Sequence, residues 1–271
     1  MARVRLDDEL ISQGICENRA DALRTLMAGL VSSGGERLSS PGMMVKPGID
    51  LHVKGRIPYV GRGGLKLAGA LDAFGVDPAG LTCVDVGCST GGFTDCLLKR
   101  GAAHVVSVDV GRAQFDWSLR NDERVTLLER TNIVDVPARV YAGSFDLAVC
   151  DVSFTSIRTI LPAVLELLSV DGAFLTLVKP QFEAAPGEVG EGGIVRDPAV
   201  HARVLADTVR LFAASGLAPL DICASPIKGA KGNREFFLLG VRGSRDVDDL
   251  LCHADAIAAH VEALTDKAVR L

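Results

Sequence analysis

After residue 80, short apolar runs alternate with segments whose apolar residues recur at helical spacing. Seven of these runs predict strands, at 81–86, 103–109, 124–128, 145–150, 173–178, 217–224 and 235–241. Most are apolar at nearly every position, which is typical of parallel strands covered on both faces. The last two predict an antiparallel hairpin at the sheet edge. The pattern therefore predicts an α/β fold, a Rossmann-like doubly wound sheet.

Residues 1–53 have a different pattern, in which short apolar pieces are separated by Gly, Ser and Pro. Asn18 is a suitable N-cap for a helix over about 19–28, which Gly29 ends. The predicted buried stripe of this helix consists of Ala20, Leu23, Leu26 and Met27. Short strands are predicted at 30–31, 44–45 and 51–53. This region is therefore predicted to be a small α+β domain that leans on RNA or on the next domain.

Composition and charge narrow the class of protein. The net charge of −5 argues against a non-specific nucleic-acid coat protein but allows a local basic stripe. No run approaches the roughly 18 apolar residues that span a bilayer, and acids at 7–9 stand where a signal peptide needs apolar residues. We therefore expect a cytoplasmic protein without a membrane segment. The seven cysteines lack paired CxxC spacing, which predicts reduced core residues and no metal site.

The most informative stretch is Asp85–Asp95, which leaves the first strand after residue 80 and opens a helix. Ligands of open α/β sheets bind at such turns, and Asp109 ends the next strand, where an acid can bind ribose hydroxyls. Nicotinamide enzymes use the same plan, but Ser89 interrupts the G-x-G-x-x-G spacing. S-adenosylmethionine is therefore favoured over a dinucleotide. The predicted cofactor-binding residues are Asp85, Gly87, Cys88, Ser89, Thr90, Gly91, Gly92, Asp109, Asn132 and Asp151. For Asn132, a turn-forming role is an equal alternative.

Four charged residues fall at element ends that converge on one side of such a sheet, namely Lys66, Asp151, Lys179 and Glu235. The alternative is that they are unrelated surface charges. Two lysines with two carboxylates suit methyl transfer to a ribose 2′-OH, because a positioned base must take the hydroxyl proton. Lys179 is the predicted base and Lys66 the like charge that activates it. The two carboxylates are predicted to orient the lysines.

Two resemblances extend this interpretation. Residues 1–54 resemble the S4-type RNA-binding domain at Arg5-Leu6-Asp7, Gly14, Arg19-Ala20, Gly29-Leu30-Val31 and Lys46-Pro47-Gly48. Residues 1–245 are similar to the TlyA family of rRNA 2′-O-methyltransferases, often named hemolysins, with an FtsJ-like catalytic domain. The motifs that carry this resemblance are Gly61–Leu67, Asp85–Asp95, Trp117–Arg120, Glu129–Asn132, Asp151–Phe154, Leu177–Glu183 and Gly232–Glu235. One departure is Tyr59, since some members have a tryptophan in this linker.

The resemblance implies S-adenosylmethionine-dependent methylation of cytidine 2′-OH groups in ribosomal RNA, within assembled subunits. It also assigns the Lys-Asp-Lys-Glu tetrad of the family to the four charged residues described above. The implied organisation is an S4-like domain at 1–54, a linker at 55–61, a methyltransferase domain at 62–245 and a C-terminal helix at 246–271. The oligomeric state is expected to be a monomer or a weak dimer.

RNA contact is predicted for the basic residues Arg3, Arg5, Arg19, Arg24, Lys46, Arg62, Lys228 and Lys231. In the first 54 residues, basic and acidic side chains are equal in number, so an ordinary solvated surface is the alternative there. Phe154 and Phe182 flank the expected pocket, where they stack on a flipped base or pack in the core. Two other functions are open. One is an inactive RNA-binding protein, which the intact tetrad and glycine loop argue against. The other is a membrane-lytic hemolysin, which needs a spanning segment, a barrel pattern or a strongly amphipathic exposed helix. The predicted C-terminal helix has an apolar side, but aspartates dominate the rest of it, which argues against binding to an anionic membrane.

Overall fold

The computed structural model describes residues 3–243, except 14, 17, 56, 57, 113 and 137, and also residue 263. The chain divides into two compact units, Met1–Pro58 and Tyr59–Leu271. The predicted C-terminal helix over 246–271 lies outside the described residues, apart from 263. Across the described part of the chain, no helix is long and apolar enough to cross a membrane.

The first unit contains two helices and two small antiparallel sheets. Its elements are β1 (Val4–Arg5), α1 (Leu6–Ser12), α2 (Arg19–Met27), β2 (Val31–Ser33), β3 (Glu36–Arg37), β4 (Met44–Val45) and β5 (His52–Val53). β1 pairs with β4, while β2 lies between β3 and β5. The helices pack on a core built around Leu6, Leu10, Leu26 and Val31. Despite its size, this unit therefore has an apolar core of its own.

The N-terminal end of α2 is as predicted, but its buried face is not. The Asn18 side chain accepts a hydrogen bond from the Asp21 backbone N–H, and Gly29 follows the helix at a φ of +66°. Leu26 is buried, whereas Ala20 is exposed and Met27 is 79% exposed. The inward face consists of Ala22, Thr25 and Leu26, which follow one another at three- and four-residue spacing. The prediction was wrong because Thr25, which hydrogen-bonds the Asp21 carbonyl, takes an inward position that apolarity alone does not indicate.

The second unit is an α/β layer structure with a seven-stranded sheet, as predicted. Its strands are β6 (Thr82–Val86), β7 (His104–Asp109), β8 (Val125–Glu129), β9 (Phe145–Cys150), β10 (Leu168–Val178), β11 (Leu217–Ala224) and β12 (Phe236–Arg242). Its helices are α3 (Gly63–Phe74), α4 (Gly92–Lys99), α5 (Trp117–Arg120), α6 (Ala138–Tyr141), α7 (Ile157–Leu167), α8 (Pro180–Glu183) and α9 (Pro198–Ala214). The strand order is β11-β12-β10-β9-β6-β7-β8.

The sheet is parallel from β10 to β8, and β12 is antiparallel to both β10 and β11. The predicted hairpin at the edge is therefore confirmed. Successive residues of each strand enter two different cores, as the two-residue period of a strand requires. In β9, Leu147 and Val149 belong to one apolar cluster, while Ala148 and Cys150 belong to the other. This two-sided burial explains why the strands are apolar at nearly every position.

The order of the strands determines where a ligand can bind. β6 lies between β7 and β9, so the chain leaves the end of β6 in one direction and returns on the other side. Such a switch point opens a crevice beyond the carboxyl ends of the strands. The loops after β6 and β9 begin there in direct contact, since the Asp151 N–H donates to the Val86 carbonyl at 3.0 Å. The start of the antiparallel β12 lies at the same edge, because Phe236 pairs with Val178.

Candidate active site

A cavity of about 490 Å³ opens at this edge of the sheet in the second unit. One part of its wall is the glycine-rich loop after β6, and another is formed by the residues that follow β9 and β10. The lining includes all four members of the predicted tetrad, Lys66, Asp151, Lys179 and Glu235. Four unrelated surface charges, the alternative interpretation, would not line a single cavity in this way.

The tetrad forms a continuous chain of ion pairs. Asp151 accepts from Lys179 Nζ at 2.5 Å through Oδ1, and its Oδ2 lies 3.4 Å from Lys66 Nζ. Lys66 Nζ also lies 2.7 Å from Glu235 Oε2. The lysine side chains are only 11% and 8% exposed, so both ammonium groups are paired inside a shielded site. One carboxylate thus lies between two amines, and a second carboxylate holds one of those amines from the other side.

Three neighbouring polar residues were missed by the sequence analysis. Ser153 Oγ lies 2.8 Å from Lys179 Nζ, and Gln181 Nε2 lies 3.4 Å from Glu235 Oε1. Asn233 is 3% exposed and hydrogen-bonds a loop at the cavity wall. All three stand within two residues of a tetrad member. Their closeness to the tetrad in the sequence could have marked them as candidate site residues. The sequence alone does not indicate which partner an uncharged polar side chain bonds.

The loop 87–92 depends on its glycines. Gly87 has a φ of +82°, and a Cβ there would lie 3.1 Å from the Asp151 carbonyl oxygen. Gly91 has a φ of +93°, and a Cβ there would lie 2.5 Å from the Leu119 side chain. The loop therefore packs closely on both sides. Of the residues predicted to bind the cofactor, Gly87, Cys88, Ser89, Thr90, Gly92 and Asp151 line the cavity.

Asp85 and Asp109 lie at the ends of β6 and β7 and have different environments. Asp109 accepts from the backbone N–H groups of Ser89 at 2.8 Å and Gly111 at 2.6 Å, and it lines a shallow cleft that Ser89 shares with the main cavity. Asp85 is fully buried and accepts from the N–H and hydroxyl of Thr94. Burial raises the pKa of Asp85 to about 7. Its Oδ1 is buried and has no hydrogen-bond partner among the residues that the structure describes.

Asn132 has the turn-forming role that was the alternative for it. Its side-chain oxygen accepts from the Val134 N–H at 3.3 Å and caps the short turn Ile133–Asp135. Among the described residues, those that line the cavity and the adjoining cleft do not include Asn132. A contact with the cofactor stays a prediction for this residue.

The predicted RNA-contact residues fall into two groups, one in each unit. In the first unit, Arg3 and Lys46 are exposed, whereas Arg5, Arg19 and Arg24 form ion pairs with aspartates. In the second unit, Arg62 donates to the Lys228 carbonyl at 3.1 Å. Lys231 is exposed and lines the cavity. A basic patch therefore borders the cavity on the side of Glu235.

Two phenylalanines flank the cavity beside Lys179. The Phe154 and Phe182 ring centroids are 5.1 Å apart, and Lys179 Nζ lies 5.8 Å from the Phe182 centroid. Phe154 is 87% exposed, so it does not pack in the core. Its φ of +63° is unusual for a bulky residue and holds the exposed ring in a costly conformation. Such strain at a cavity is typical of a functional site.

Another part of the cavity wall is the glycine-rich segment 187–193, through Val189 and Gly193. The buried Asn233 donates to the Gly193 carbonyl at 2.8 Å and accepts from the Val195 N–H at 3.0 Å. These bonds tie the segment to the residues that carry Glu235. The C-terminal end of this segment is therefore held beside the tetrad.

The linker tyrosine, Tyr59, packs beside the helix that carries Lys66. A Cβ at Gly64 would lie 2.2 Å from the Tyr59 ring, and Lys99 Nζ lies 5.4 Å from the centroid of that ring. Burial raises the pKa of Tyr59 to about 12. The ring therefore occupies a specific place against α3, even though this position differs from the tryptophan of some family members.

An α/β sheet with a ligand cavity at its switch point, a glycine loop and a Lys-Asp-Lys-Glu cluster together define a Rossmann-like methyltransferase. Residues 59–242 match the model of the FtsJ-like methyltransferase family. The 16S/23S rRNA (cytidine-2′-O)-methyltransferase TlyA of Mycobacterium tuberculosis is 44% identical, over 87% of this chain and 89% of the relative. Hemolysin A of Brachyspira hyodysenteriae is 39% identical, over 86% of this chain and 98% of the relative.

A solved structure from Streptococcus thermophilus that bears the name of a hemolysin is similar over 100% of this chain and 97% of its own, with 36% identity and a TM-score of 0.70. The chain belongs to the FtsJ-like methyltransferase family and, within it, to the TlyA group. This membership confirms the family predicted from the motifs.

Proposed function

We propose that this protein transfers a methyl group from S-adenosylmethionine to the 2′-OH of cytidine in ribosomal RNA. The observation that carries the proposal is the placement of Lys179 and Asp151 in one cavity with the glycine loop 87–92. The name of the TlyA relative from Mycobacterium tuberculosis, a 16S/23S rRNA (cytidine-2′-O)-methyltransferase, supports the choice of substrate. The substrate is an assembled ribosomal subunit, and the site of action is the cytoplasm.

The residues present fit S-adenosylmethionine. The cavity wall contains glycines at 63, 87 and 92, which expose backbone to a ligand in the cavity, and a Cβ at 87 or 92 would lie 3.1 or 3.0 Å from the backbone of Asp151 or Gly64. Gly87, Ser89 and Thr90 hold the amino-acid part of the cofactor, while the Asp109 carboxylate binds its ribose hydroxyls. Asp85 supports the loop from the buried side, through its hydrogen bonds with Thr94. When bound, S-adenosylmethionine would supply a methyl group activated by its positively charged sulfur.

Lys179 is the general base of this proposal. In its neutral form, its Nζ accepts the proton of the ribose 2′-OH while the new bond between oxygen and carbon forms. Asp151 and Ser153 hold this Nζ in place through the contacts at 2.5 and 2.8 Å. The Nζ of Lys66 lies 3.4 Å from the other oxygen of the same carboxylate. Glu235 in turn holds Lys66, and much of the acceleration comes from holding the reacting atoms in line.

The acceptor nucleotide is held by the other side of the cavity. The exposed Phe154 ring provides a stacking surface for a base taken out of its helix, with Phe182 behind it. Lys231 and Lys228 contact the neighbouring phosphates. The first unit, assigned to an S4-like domain at 1–54, contributes further phosphate contacts through its basic residues. The linker at 55–61 and the methyltransferase domain at 62–245 complete the proposed organisation.

The experiment is incubation with methyl-labelled S-adenosylmethionine and separately purified, unmodified small and large ribosomal subunits. We expect label in the RNA and resistance to alkaline cleavage at the labelled position, because a 2′-O-methyl group blocks the attack that cleaves RNA. The Lys179→Ala variant is expected to bind subunits without transferring label. Cofactor binding without transfer to either subunit contradicts the rRNA substrate, and absence of cofactor binding favours the alternative of an inactive RNA-binding protein.

A further inference from the structure

The first unit contains a buried carboxylate that holds two arginines. Asp7 is in the first turn of α1 and is 0% exposed. Its Oδ1 accepts from Arg5 Nε at 2.9 Å, and its Oδ2 accepts from Arg5 Nη2 at 2.8 Å. The same Oδ2 accepts from Arg19 Nη2 at 3.2 Å. One carboxylate therefore holds the guanidinium of the strand β1 beside that of the helix α2.

The arginines are held, but most of their donors remain available. A guanidinium has five N–H donors in a rigid fork. Asp7 uses two donors of Arg5 and one of Arg19, whose side chains are 43% and 58% exposed. A Cβ at position 42 would lie 3.8 Å from Arg5 Nη1. Because residue 42 is glycine, it has no side chain that covers this edge of the Arg5 guanidinium. The two forks thus present free edges to solvent beside each other.

The charge of the cluster suits one phosphodiester. Two guanidinium groups and the buried carboxylate carry a net charge of +1 among them, and the exposed carboxylate of Asp8, 3.8 Å from Arg5 Nε, is partly screened by solvent. A single RNA phosphate carries one negative charge, and guanidinium groups bind its oxygens through paired, charge-assisted hydrogen bonds. Holding the side chains in advance reduces the entropy that binding would otherwise cost.

We propose that Asp7 is a positioning residue that holds Arg5 and Arg19 as a two-guanidinium clamp for an RNA phosphate. The inference rests on the proposed function, because it takes RNA to be the partner of the first unit. It adds an acidic residue to a binding surface that charge counting assigns only to basic ones. The clamp requires both the orientation and the charge of the arginines.

The direction in which one substitution changes RNA affinity distinguishes the clamp from an effect of net charge alone. If only net charge mattered, removing any acid from this surface would strengthen RNA binding. Asp8 provides the matched control, because it is 54% exposed and lies 3.8 Å from the Nε of the same arginine. Asp8→Asn removes the same charge as Asp7→Asn without removing the buried carboxylate that aligns the two forks.

The experiment measures binding of the full chain to purified, unmodified small and large ribosomal subunits, separately, by filter binding from about 50 to 200 mM salt. Asp7→Asn is expected to weaken binding about tenfold, because two side chains lose their fixed positions. Asp8→Asn is expected to leave affinity unchanged or to raise it about twofold. An Asp7→Asn variant that binds as tightly as Asp8→Asn would overturn the clamp.

Arginine-to-lysine variants keep the test decisive if Asp7→Asn does not fold. Arg5→Lys and Arg19→Lys retain the charge but not the fork, so we expect weaker binding with an unchanged salt dependence. Full affinity in both variants contradicts the proposal. Arg5→Ala and Arg19→Ala are expected to lower the slope of log affinity against log salt by about one each. If neither alanine variant changes affinity, RNA binding by this unit fails, while methyl transfer by the second unit is measured independently with the cofactor assay.

Discussion

In each unit of this protein, a largely shielded carboxylate lies between two basic side chains, and the two arrangements differ in how far those basic side chains are buried. In the second unit, Asp151 joins Lys66 and Lys179, which are 11% and 8% exposed. In the first unit, Asp7 joins two arginines that are 43% and 58% exposed. A shielded lysine can exchange a proton, whereas arginine stays charged and presents a planar fork. This difference is the reason why we propose proton transfer in one unit and anion binding in the other.

A third buried carboxylate, Asp85, extends the comparison because its described hydrogen bonds come from Thr94 rather than from a basic side chain. Its pKa is raised to about 7 by burial, whereas the hydrogen bond from Arg5 holds the pKa of Asp7 below its ordinary value. Burial raises the pKa of both aspartates, but for Asp7 the hydrogen bond from the Arg5 guanidinium outweighs burial and the net shift is downward.

The largest expected effect comes from removing the base. Lys179→Ala is expected to lower kcat for RNA methylation about 10³-fold, since general bases contribute about 10² to 10⁴. Lys179→Arg retains a cation beside Asp151 but cannot accept a proton at neutral pH. We therefore expect both variants to be inactive while they bind S-adenosylmethionine and subunits normally. Substantial activity of Lys179→Arg would mean that this residue supplies only charge.

The second prediction concerns the pH dependence of stability. The folded chain binds the Asp85 proton more tightly than the unfolded chain, so this group stabilises the fold below about pH 4, and that contribution is lost as pH rises through about 7. A shift of roughly three units corresponds to at most about 4 kcal/mol. Asp85→Asn is expected to remove this dependence and to gain relative stability towards pH 8. Urea unfolding between pH 4 and 8 measures it, and parallel profiles for the two proteins contradict it.

A third prediction tests the outer carboxylate of the tetrad. Glu235→Gln leaves the shielded ammonium of Lys66 with only the longer contact to Asp151. We expect a loss of about 2–3 kcal/mol in the free energy of unfolding, because an incompletely paired buried charge is costly. The exposed Glu166 is the control, and Glu166→Gln is expected to change stability by less than about 0.5 kcal/mol. Denaturant titrations that do not distinguish the two variants would show that Glu235 does not support Lys66.

The smallest expected effect comes from the exposed ring. Phe154→Gly removes a stacking surface and also relieves the φ of +63°. We expect KM for the RNA substrate to rise about tenfold, the value of one base stacked on an aromatic ring. The free energy of unfolding is expected to stay constant or to rise by about 1 kcal/mol. Phe154→Leu keeps the backbone cost but loses the aromatic face, so a normal KM in that variant would argue against stacking.

Much of the fold and of the site was predictable because the chemistry is local. Strands covered on both faces must be apolar at successive positions, and the central strands of the second unit, such as β9 and β10, follow that rule. Charged residues that end apolar strands have no place in a core, which singled out Lys179 and Asp151. The α2 stripe failed for a related reason, since the buried Thr25 finds its partner within its own helix and no apolar pattern marks it.

The remainder depended on contacts between residues far apart in the chain. Sequence by itself determined the sheet, the glycine loop, the members of the tetrad and the family of the chain, because each can be recognised from the types of residues that are close together in the sequence. Only the tertiary structure decided that Ser153 contacts Lys179, that Asn233 holds the segment 187–193, and that Asp7 joins Arg5 to Arg19. The type of a polar side chain determines which groups it can hydrogen-bond, and the fold determines which of those groups lies within about 3 Å of it.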